Sequence, residues 1–200
     1  MMLLRILSMT LLVSFSVANS VAEDLNLDEL LAKHQAFSAR FEQLSFDENG
    51  ELMAESAGTA SLASGQRLRW ETTSPWPQLL VVNNTTVWLY DPDLEQASYR
   101  TVDTTSPVNP ALLFNANTDA IKAVFDISEI ENGFRFTPLE SSQFSLIELI
   151  QDGNLIAGLN YVDLIGQRTE VSFFQHNYSV PSDELFEFVP PEGVEVVTGG

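Results

Sequence analysis

The sequence predicts a mostly β protein with a few helices, whose strands form one antiparallel sheet that curls into an incomplete barrel. Short apolar strand patterns recur at intervals of roughly ten residues, and polar or glycine-containing turns separate them. No helical segment of crossover length lies between successive strand patterns, as a parallel sheet would require. A sheet of about ten strands curls strongly, so a helix against its concave face would give a half-barrel with a plug.

Residues 1–22 have the pattern of a cleaved signal peptide. Arg5 is the one charge in this stretch, and an apolar run with small polar residues follows it. Ser20-Val21-Ala22 fits the small-x-small cleavage rule and predicts a mature start at Glu23, with Ala18-Asn19-Ser20 as the alternative site. A membrane anchor is the competing interpretation, but the run is short for a span. We expect residues 23–200 to form a single domain.

The chain is strongly acidic, with 9 Lys and Arg against 28 Asp and Glu and a net charge of -19. Removal of residues 1–22 would leave a charge of -20. A charge of this sign argues against binding to nucleic acid or to anionic membrane surfaces. The sequence contains no cysteine. Neither a disulfide nor an acylated N-terminal cysteine can therefore form, and we expect a soluble mature protein.

Motifs for catalysis, cofactors and metals are missing from the sequence. The two histidines, His34 and His176, are far apart, and without cysteine they predict no metal site. The serine motif of α/β-hydrolases and the glycine-rich phosphate loops are absent as well. We therefore expect no cofactor and no enzymatic activity.

The chain is predicted to begin with a helix and to continue as strands. Apolar residues at helical spacing predict a helix from Asp24 to Ala36, and from Phe37 the apolar period changes to two. Two short helices are predicted at 110–114 and 118–123, after a loop at 104–109. Beyond the strand that begins at Phe37 and the central meander, strands are predicted at 52–62, 96–102, 125–130, 134–138, 145–151, 155–161, 169–178 and 185–188.

The central stretch 67–92 predicts a meander of three strands with large aromatic residues. Leu68 and Trp70 alternate with charged residues, so one face of their strand is apolar. Trp88 and Tyr90 share one face of the third strand because they are two residues apart. We interpret these residues as one wide aromatic face. Such a face must be covered by core or helices, or it must hold an apolar ligand.

Three parts of the chain resemble one family. They are Phe37-Ser38-Ala39-Arg40-Phe41-Glu42-Gln43, the meander from Leu68-Arg69-Trp70-Glu71 to Trp88-Leu89-Tyr90-Asp91-Pro92, and Phe186-Glu187-Phe188-Val189-Pro190-Pro191-Glu192-Gly193-Val194. In this order, over essentially the whole mature chain, they closely resemble the outer-membrane lipoprotein carrier protein family, LolA.

The resemblance implies an incomplete antiparallel barrel with a helical lid over an apolar cavity. It also implies a monomeric periplasmic shuttle for acylated lipoproteins. The shuttle receives them from an inner-membrane ABC transporter and passes them to an outer-membrane receptor of the LolB type, which is itself a lipoprotein. The missing cysteine places this chain on the soluble-carrier side of that pair. Exposing an acyl chain to water costs about 0.8 kcal/mol per CH₂, so an apolar concavity suffices for such a task and no catalyst is needed.

Large apolar residues of the strands and short helices are the candidates for lining that cavity. They are Phe41, Leu68, Trp70, Leu80, Val82, Trp88, Tyr90, Leu112, Phe114, Phe125 and Phe136. Ordinary core packing is the alternative for each of them. Trp76, between two prolines, is interpreted as a loop residue, with a place on the rim of the site as the alternative.

One position departs from the family pattern. Counting back from Trp70, the family usually has Arg-Pro where this chain has Ser64 and Gly65. The resemblance implies that this arginine hydrogen-bonds toward the lid and helps to close the empty cavity. Ser64 therefore marks a lid latch whose arginine is replaced here, unless Arg40 or Arg67 takes over its role.

Two other functions compete with the carrier. A periplasmic sensor or regulator of the same half-barrel type would bind lipid or protein as a signal, but such sensors usually have a second domain. A lipid hydrolase would need a nucleophile and a base, and the sequence shows no recognisable pair.

Overall fold

The computed structural model describes residues 26–101, 113 and 118–198. These contain two α-helices, twelve strands and a 3-10 helix at Asp183–Phe186. The helices are α1 (Leu27–Lys33) and α2 (Thr118–Lys122). The strands are β1 (Phe37–Phe46), β2 (Leu52–Ala63), β3 (Arg67–Ser74), β4 (Gln78–Asn83), β5 (Thr86–Asp91), β6 (Gln96–Thr101), β7 (Phe125–Ile130), β8 (Gly133–Pro138), β9 (Phe144–Asp152), β10 (Leu155–Asp163), β11 (Arg168–Asn177) and β12 (Glu195–Thr198).

All twelve strands belong to one open sheet, which confirms the predicted fold class. Their order is β12-β6-β5-β4-β3-β2-β1-β11-β10-β9-β8-β7. β12 and β7 are the two edges, so the sheet does not close into a complete barrel. Every pair is antiparallel except β12 with β6. β1 joins the two halves because it pairs with β2 on one side and with β11 on the other.

Local sequence explains where α1 begins and ends. The side chain of Asn26 accepts a hydrogen bond from the backbone N–H of Asp28 at 3.0 Å, which caps the helix N-terminus. Asp28 and Glu29 lie in the first turn and Lys33 in the last, so all three charges suit the helix dipole. The helix ends at Lys33, three residues before the predicted end at Ala36, and His34 is its C-cap, while the predicted start at Asp24 lies outside the described residues.

The prediction failed at the C-terminus, where strand alternation indicated a strand at 185–188. The structure has a 3-10 helix at Asp183–Phe186 instead, and β12 lies further along the chain. Phe186 is 1 % exposed, and the guanidinium of Arg67 lies 5.3 Å from the centre of its ring. The alternating aromatic residues therefore pack across the face of the sheet and do not pair at its edge. The predicted loop at 104–109 and the helix at 110–114 fall outside the described residues, except for Leu113.

The sheet has two faces, which we call inner and outer. The inner face is the one covered by the helices. One buried cluster joins inner-face residues such as Phe37, Leu62 and Ile147 to Leu30 of α1 and Ile121 of α2. Residues of β1 to β5 and of β7 to β11 contribute to this single cluster, so the two halves of the sheet share one core.

Candidate functional site

The inner face carries a stack of aromatic rings at its centre. The rings of Phe41 and Trp70 lie 4.1 Å apart between centroids, at an interplanar angle of 30°. Phe173 meets the edge of Trp70 at 6.0 Å. Phe41 is fully buried, whereas Trp70 is only partly buried against the core. Trp70 is therefore an aromatic surface that the described part of the chain covers incompletely.

Cover of the inner face differs between the two ends of the strands. Near the end where β1 begins, Phe37, Leu62, Leu68 and Val82 are fully buried. Toward the opposite end, inner-face apolar residues are partly exposed. These are Trp70, Leu80, Leu89, Phe144 and Tyr161. Within the described residues, the inner face is thus closed near the start of β1 and beside α2, where Phe125 and Phe136 are buried, and it remains accessible to an apolar ligand around Trp70 and Tyr161.

The strand register decides which predicted site residues share this face. Residues directly opposite one another on neighbouring strands point to the same side of a sheet. Leu68 faces Val82, and Trp70 faces Leu80. The predicted residues on the inner face are Phe41, Leu68, Trp70, Leu80, Val82, Phe125 and Phe136. Leu112 and Phe114 lie outside the residues that the structure describes.

Trp88 and Tyr90 lie on the outer face, so their assignment to the same aromatic face as Trp70 was wrong. Trp88 is opposite Val81, whose β3 partner is Arg69 and not Trp70. The rings of Trp88 and Tyr90 each lie 5.4 Å from the ring of Phe188. The C-terminal segment therefore covers both residues from outside.

Three inner-face residues were missed by the sequence analysis. Phe173 lies opposite Phe41 on β11, and the rings of Phe144 and Tyr161 meet at 5.2 Å. Burial raises the pKa of Tyr161, although a hydrogen bond with Thr169 acts in the opposite direction. Its hydroxyl is therefore neutral across the physiological pH range. The alternation of Val171 with Phe173 was a signal that could have identified that strand face.

Ser64 lies exposed in the turn between β2 and β3. Its carbonyl oxygen accepts a hydrogen bond from Arg67 Nε at 2.8 Å. Arg67 also donates to Asp183, so it ties this turn to the outer-face 3-10 helix. Arg40 lies over the ring of Phe174, likewise on the outer face. Neither arginine stands on the helix-covered face, where the expected latch would act.

His34 closes the C-terminal end of α1 in a buried setting. Its Nδ1 lies 2.7 Å from the carbonyl oxygen of Leu30, and its ring meets those of Phe37 and Tyr178 edge-on. Since a carbonyl can only accept, Nδ1 carries the hydrogen. Burial lowers the pKa of His34 below its ordinary value; the hydrogen bond with Leu30 acts in the opposite direction, and Lys33 and His176 add smaller contributions that lower it. The imidazole is therefore held neutral beside the core.

Within residues 26–101, 113 and 118–198, no three metal-binding side chains lie close enough together to hold an ion. In the same ranges, no helix has the length and apolar character needed to span a bilayer.

The fold and the face define an open antiparallel half-barrel with a partly uncovered apolar interior. The family model described as outer membrane lipoprotein carrier protein LolA matches residues 32–189. This chain belongs to that family.

Named relatives agree with this assignment. The chain is 35 % identical over 207 residues to the outer-membrane lipoprotein carrier protein of Azotobacter vinelandii, covering 98 % of this chain and 99 % of that protein. It is also 35 % identical over 190 residues to the protein of the same name from Pseudomonas aeruginosa, covering 92 % and 91 %. An uncharacterised conserved protein from Thermus thermophilus has a similar fold, with a TM-score of 0.52 at 12 % identity, covering 86 % of this chain and 96 % of that one.

Proposed function

We propose that this protein is a periplasmic carrier that shields the acyl chains of lipoproteins in transit to the outer membrane. The observation that carries the proposal is the partly uncovered inner face around Trp70, which is apolar and aromatic. Family membership supports the same assignment. Each CH₂ removed from water gains about 0.8 kcal/mol, so binding of acyl chains to this face needs no specific polar contact.

The route of the cargo follows from the same proposal. The carrier receives acylated lipoproteins from an inner-membrane ABC transporter and delivers them to an outer-membrane receptor of the LolB type. The signal peptide 1–22 is removed, and residues 23–200 act as a soluble monomeric domain. The protein acts by binding and release and has no catalytic role.

Competition for an acyl probe tests this function. A fluorescent fatty-acyl probe is bound to the purified protein and then titrated with an acylated lipoprotein. The same polypeptide without its acyl chains is the matched control. We expect the acylated form to displace the probe at least tenfold more effectively, equivalent to about 1.4 kcal/mol. Equal displacement by both forms would contradict acyl recognition, and loss of the acyl chains from the cargo would indicate a hydrolase.

A further inference from the structure

Two neighbouring rows of inner-face residues end on β6, the strand next to the β12 edge of the sheet. Residues opposite one another on paired strands point to the same side of a sheet, so the register traces each row. The first row follows the partly covered surface around Trp70, and the second lies beside it and is mostly buried. The first row contains Trp70, Leu80, Leu89 and Ser98, and the second contains Leu68, Val82, Val87 and Arg100.

Both rows change from apolar to polar where they reach β6. In the first row, Leu89 is 39 % exposed and lies opposite Ser98. In the second row, Arg100 is exposed, although Val87 directly opposite it is 4 % exposed. From β3 to β6 there are three strand spacings, or about 14 Å. The accessible apolar surface around Trp70 therefore continues across β4 and β5 and ends beside a hydroxyl and a guanidinium.

Arg100 differs from the other arginines in the part of the chain that the structure describes. The other five lie on the outer face: Arg40, Arg67, Arg69, Arg135 and Arg168. Four of them pair with carboxylates, and Arg40 lies over the ring of Phe174. Arg100 is on the inner face, and no described carboxylate forms an ion pair with it. Its guanidinium is therefore available to an anionic ligand.

The charges around Arg100 leave its field attractive to an anion. The strands that flank β6 carry two carboxylates, Asp91 and Glu195, and both lie opposite Gln96. Gln96 is four residues from Arg100 along β6, or about 13 Å, which exceeds the Debye length of about 8–10 Å. The turn 84–85, next to the end of β6, contains no acidic residue. Salt thus screens Arg100 from these carboxylates, although the net charge of the whole chain is -19.

A guanidinium at the end of an apolar strip suits an acyl chain that has a charged head group. Arginine stays protonated and offers five N–H donors in a planar fork, which matches a carboxylate or a phosphate group. The acyl groups of a lipoprotein are esters and amides, which have no charge for an arginine to bind. An acyl chain lying along the first row, with its head at β6, would bring that head to Arg100 and to the Ser98 hydroxyl.

We propose that the inner face also binds a single-chain amphiphile with an anionic head group, whose carboxylate or phosphate is bound by Arg100. The chain of this ligand lies across Trp70, Leu80 and Leu89. Free fatty acids and anionic lysophospholipids both have this chemistry. The proposal adds a second class of ligand to the carrier function of the previous section, and the two share only the apolar face. Charge complementarity at Arg100 distinguishes the second class from the first.

Ligands with matched chains and different head-group charge test the proposal. Dodecanoic acid is compared with methyl dodecanoate at pH 8, where carboxylic acids are ionised. Lysophosphatidylglycerol is compared with the zwitterionic lysophosphatidylcholine, below their micelle concentrations. Each ligand displaces a neutral fluorescent acyl probe from the parent protein. We expect the anionic member of at least one pair to bind at least about tenfold more tightly than the other member, because hydrogen bonds between ionised groups are the strong ones.

Substitutions of arginine then locate the source of this preference. Arg100→Gln should remove the preference and leave the affinity for methyl dodecanoate within about twofold of the parent. Arg100→Lys keeps the charge but not the planar fork, so it should retain part of the preference. Arg40→Gln is the matched control, since it removes the same charge from an exposed arginine on the outer face, and it should keep the full preference. Circular dichroism confirms that each variant is folded.

The outcomes separate this proposal from the carrier function. Dependence on Arg100 in the first pair would identify a fatty acid as the ligand, and dependence in the second pair would identify a lysophospholipid. Equal affinity of the folded parent for both members of each pair would overturn the proposal and leave the carrier function intact. A preference that persists in Arg100→Gln would overturn it as well. Failure of the parent to bind the neutral probe would reject the apolar site, and the carrier function with it.

Discussion

The two faces of strands β3 to β5 each carry a tryptophan, and different parts of the chain cover them. On the inner face, Trp70 stacks on Phe41 and stays partly uncovered beside the helix-capped core. On the outer face, Trp88 packs against Tyr99 at 4.9 Å and against Phe188 at 5.4 Å. The outer aromatic residues are thus partly covered by the chain's own C-terminal segment, whereas the uncovered part of Trp70 adjoins the apolar core of the inner face.

This difference shows that aromatic content alone does not locate an acyl site. A face serves as a site when its apolar surface is available and its supporting layer is rigid. The C-terminal segment that covers the outer face ends in β12. This strand pairs in parallel with β6 and holds the segment in place. We therefore expect the effects of substitutions on ligand binding to appear on the inner face.

The largest expected difference between the faces is in stability. Phe41→Ala removes a fully buried inner-face ring and should lower the free energy of unfolding by about 3–5 kcal/mol. Phe188→Ala removes a partly buried outer-face ring and should cost about 1–2 kcal/mol. Urea unfolding monitored by circular dichroism measures both, with unchanged m-values as the control for two-state behaviour. Equal losses in the two variants would show that the outer-face contacts of Phe188 stabilise the fold as much as the buried ring of Phe41 does.

Acyl binding should separate the two tryptophans. Trp70→Ala should weaken binding of a fluorescent fatty-acyl probe by at least about tenfold, since each 1.4 kcal/mol of lost contact is tenfold in Kd. Trp88→Ala should leave the Kd within about twofold of the parent, because its ring is in contact with Phe188 on the other face.

The two substitutions control for each other, since each truncates a partly buried tryptophan of the same sheet. Only variants that circular dichroism shows to be folded are compared. Weaker binding in Trp88→Ala with parent-like binding in Trp70→Ala would place the site on the outer face.

Most strand positions could be predicted from sequence because alternation and turn residues are local signals. β1 begins at Phe37 as expected, and the predicted range 96–102 differs from β6 only at its end. β12 could not be found this way, because its pairing with β6 joins residues about a hundred positions apart. Its four residues, Glu195–Thr198, carry too short a pattern to indicate a partner.

The site was harder to predict than the strands. Alternation shows that Trp88 and Tyr90 share a face, but only the register with β4 shows which face that is. A one-residue shift in register would have placed Trp88 opposite Leu80 and so on the same face as Trp70. In addition, the positions of the helices and of the C-terminal segment determine which face a ligand can reach. Their contacts with the sheet join residues far apart in the sequence, so local patterns do not predict them.

A substitution at Ser64, in the turn between β2 and β3, tests whether an arginine at this position favours closure of the inner face. Arg67 ties this turn to the outer-face Asp183, whereas the family resemblance implies an arginine at position 64 that acts toward the lid. Ser64→Arg should stabilise the closed, empty state by about 1 kcal/mol for each hydrogen bond regained. Because ligand binding must reverse this closure, we expect probe affinity to fall by about fivefold per bond.

Ser64→Lys is the matched control, since it adds the charge without the planar fork of donors. Probe titration at matched stability compares both variants with the parent. Unchanged or tighter binding in Ser64→Arg would show that no latch at this position limits the affinity of this carrier.

The smallest expected effect is a pH dependence of the free energy of unfolding, which arises at His34 at the C-terminal end of α1. The folded-state pKa of His34 is lowered from 6.5, first by burial. The unfolded chain therefore takes up a proton more readily than the folded one as the pH falls. Stability is fully present above about pH 6.5 and is lost as the pH falls from there through the folded-state pKa.

Urea unfolding at pH 7.5 and at pH 5.5 measures this dependence in the parent and in His34→Leu. We expect the leucine variant to lose less stability on acidification, because it has no proton to take up. His176→Gln is the matched control: it removes the only other histidine, whose Nε2 contacts the carbonyl oxygen of Ile156 at 2.8 Å, and it should retain most of the parent's pH dependence. The groups that face His34 include Lys33, His176 and Tyr178, so any change in the control reports their direct influence on it. If the parent and the His34→Leu variant had the same pH dependence of stability, the pKa of His34 would be the same in the folded and the unfolded chain, which would contradict this prediction.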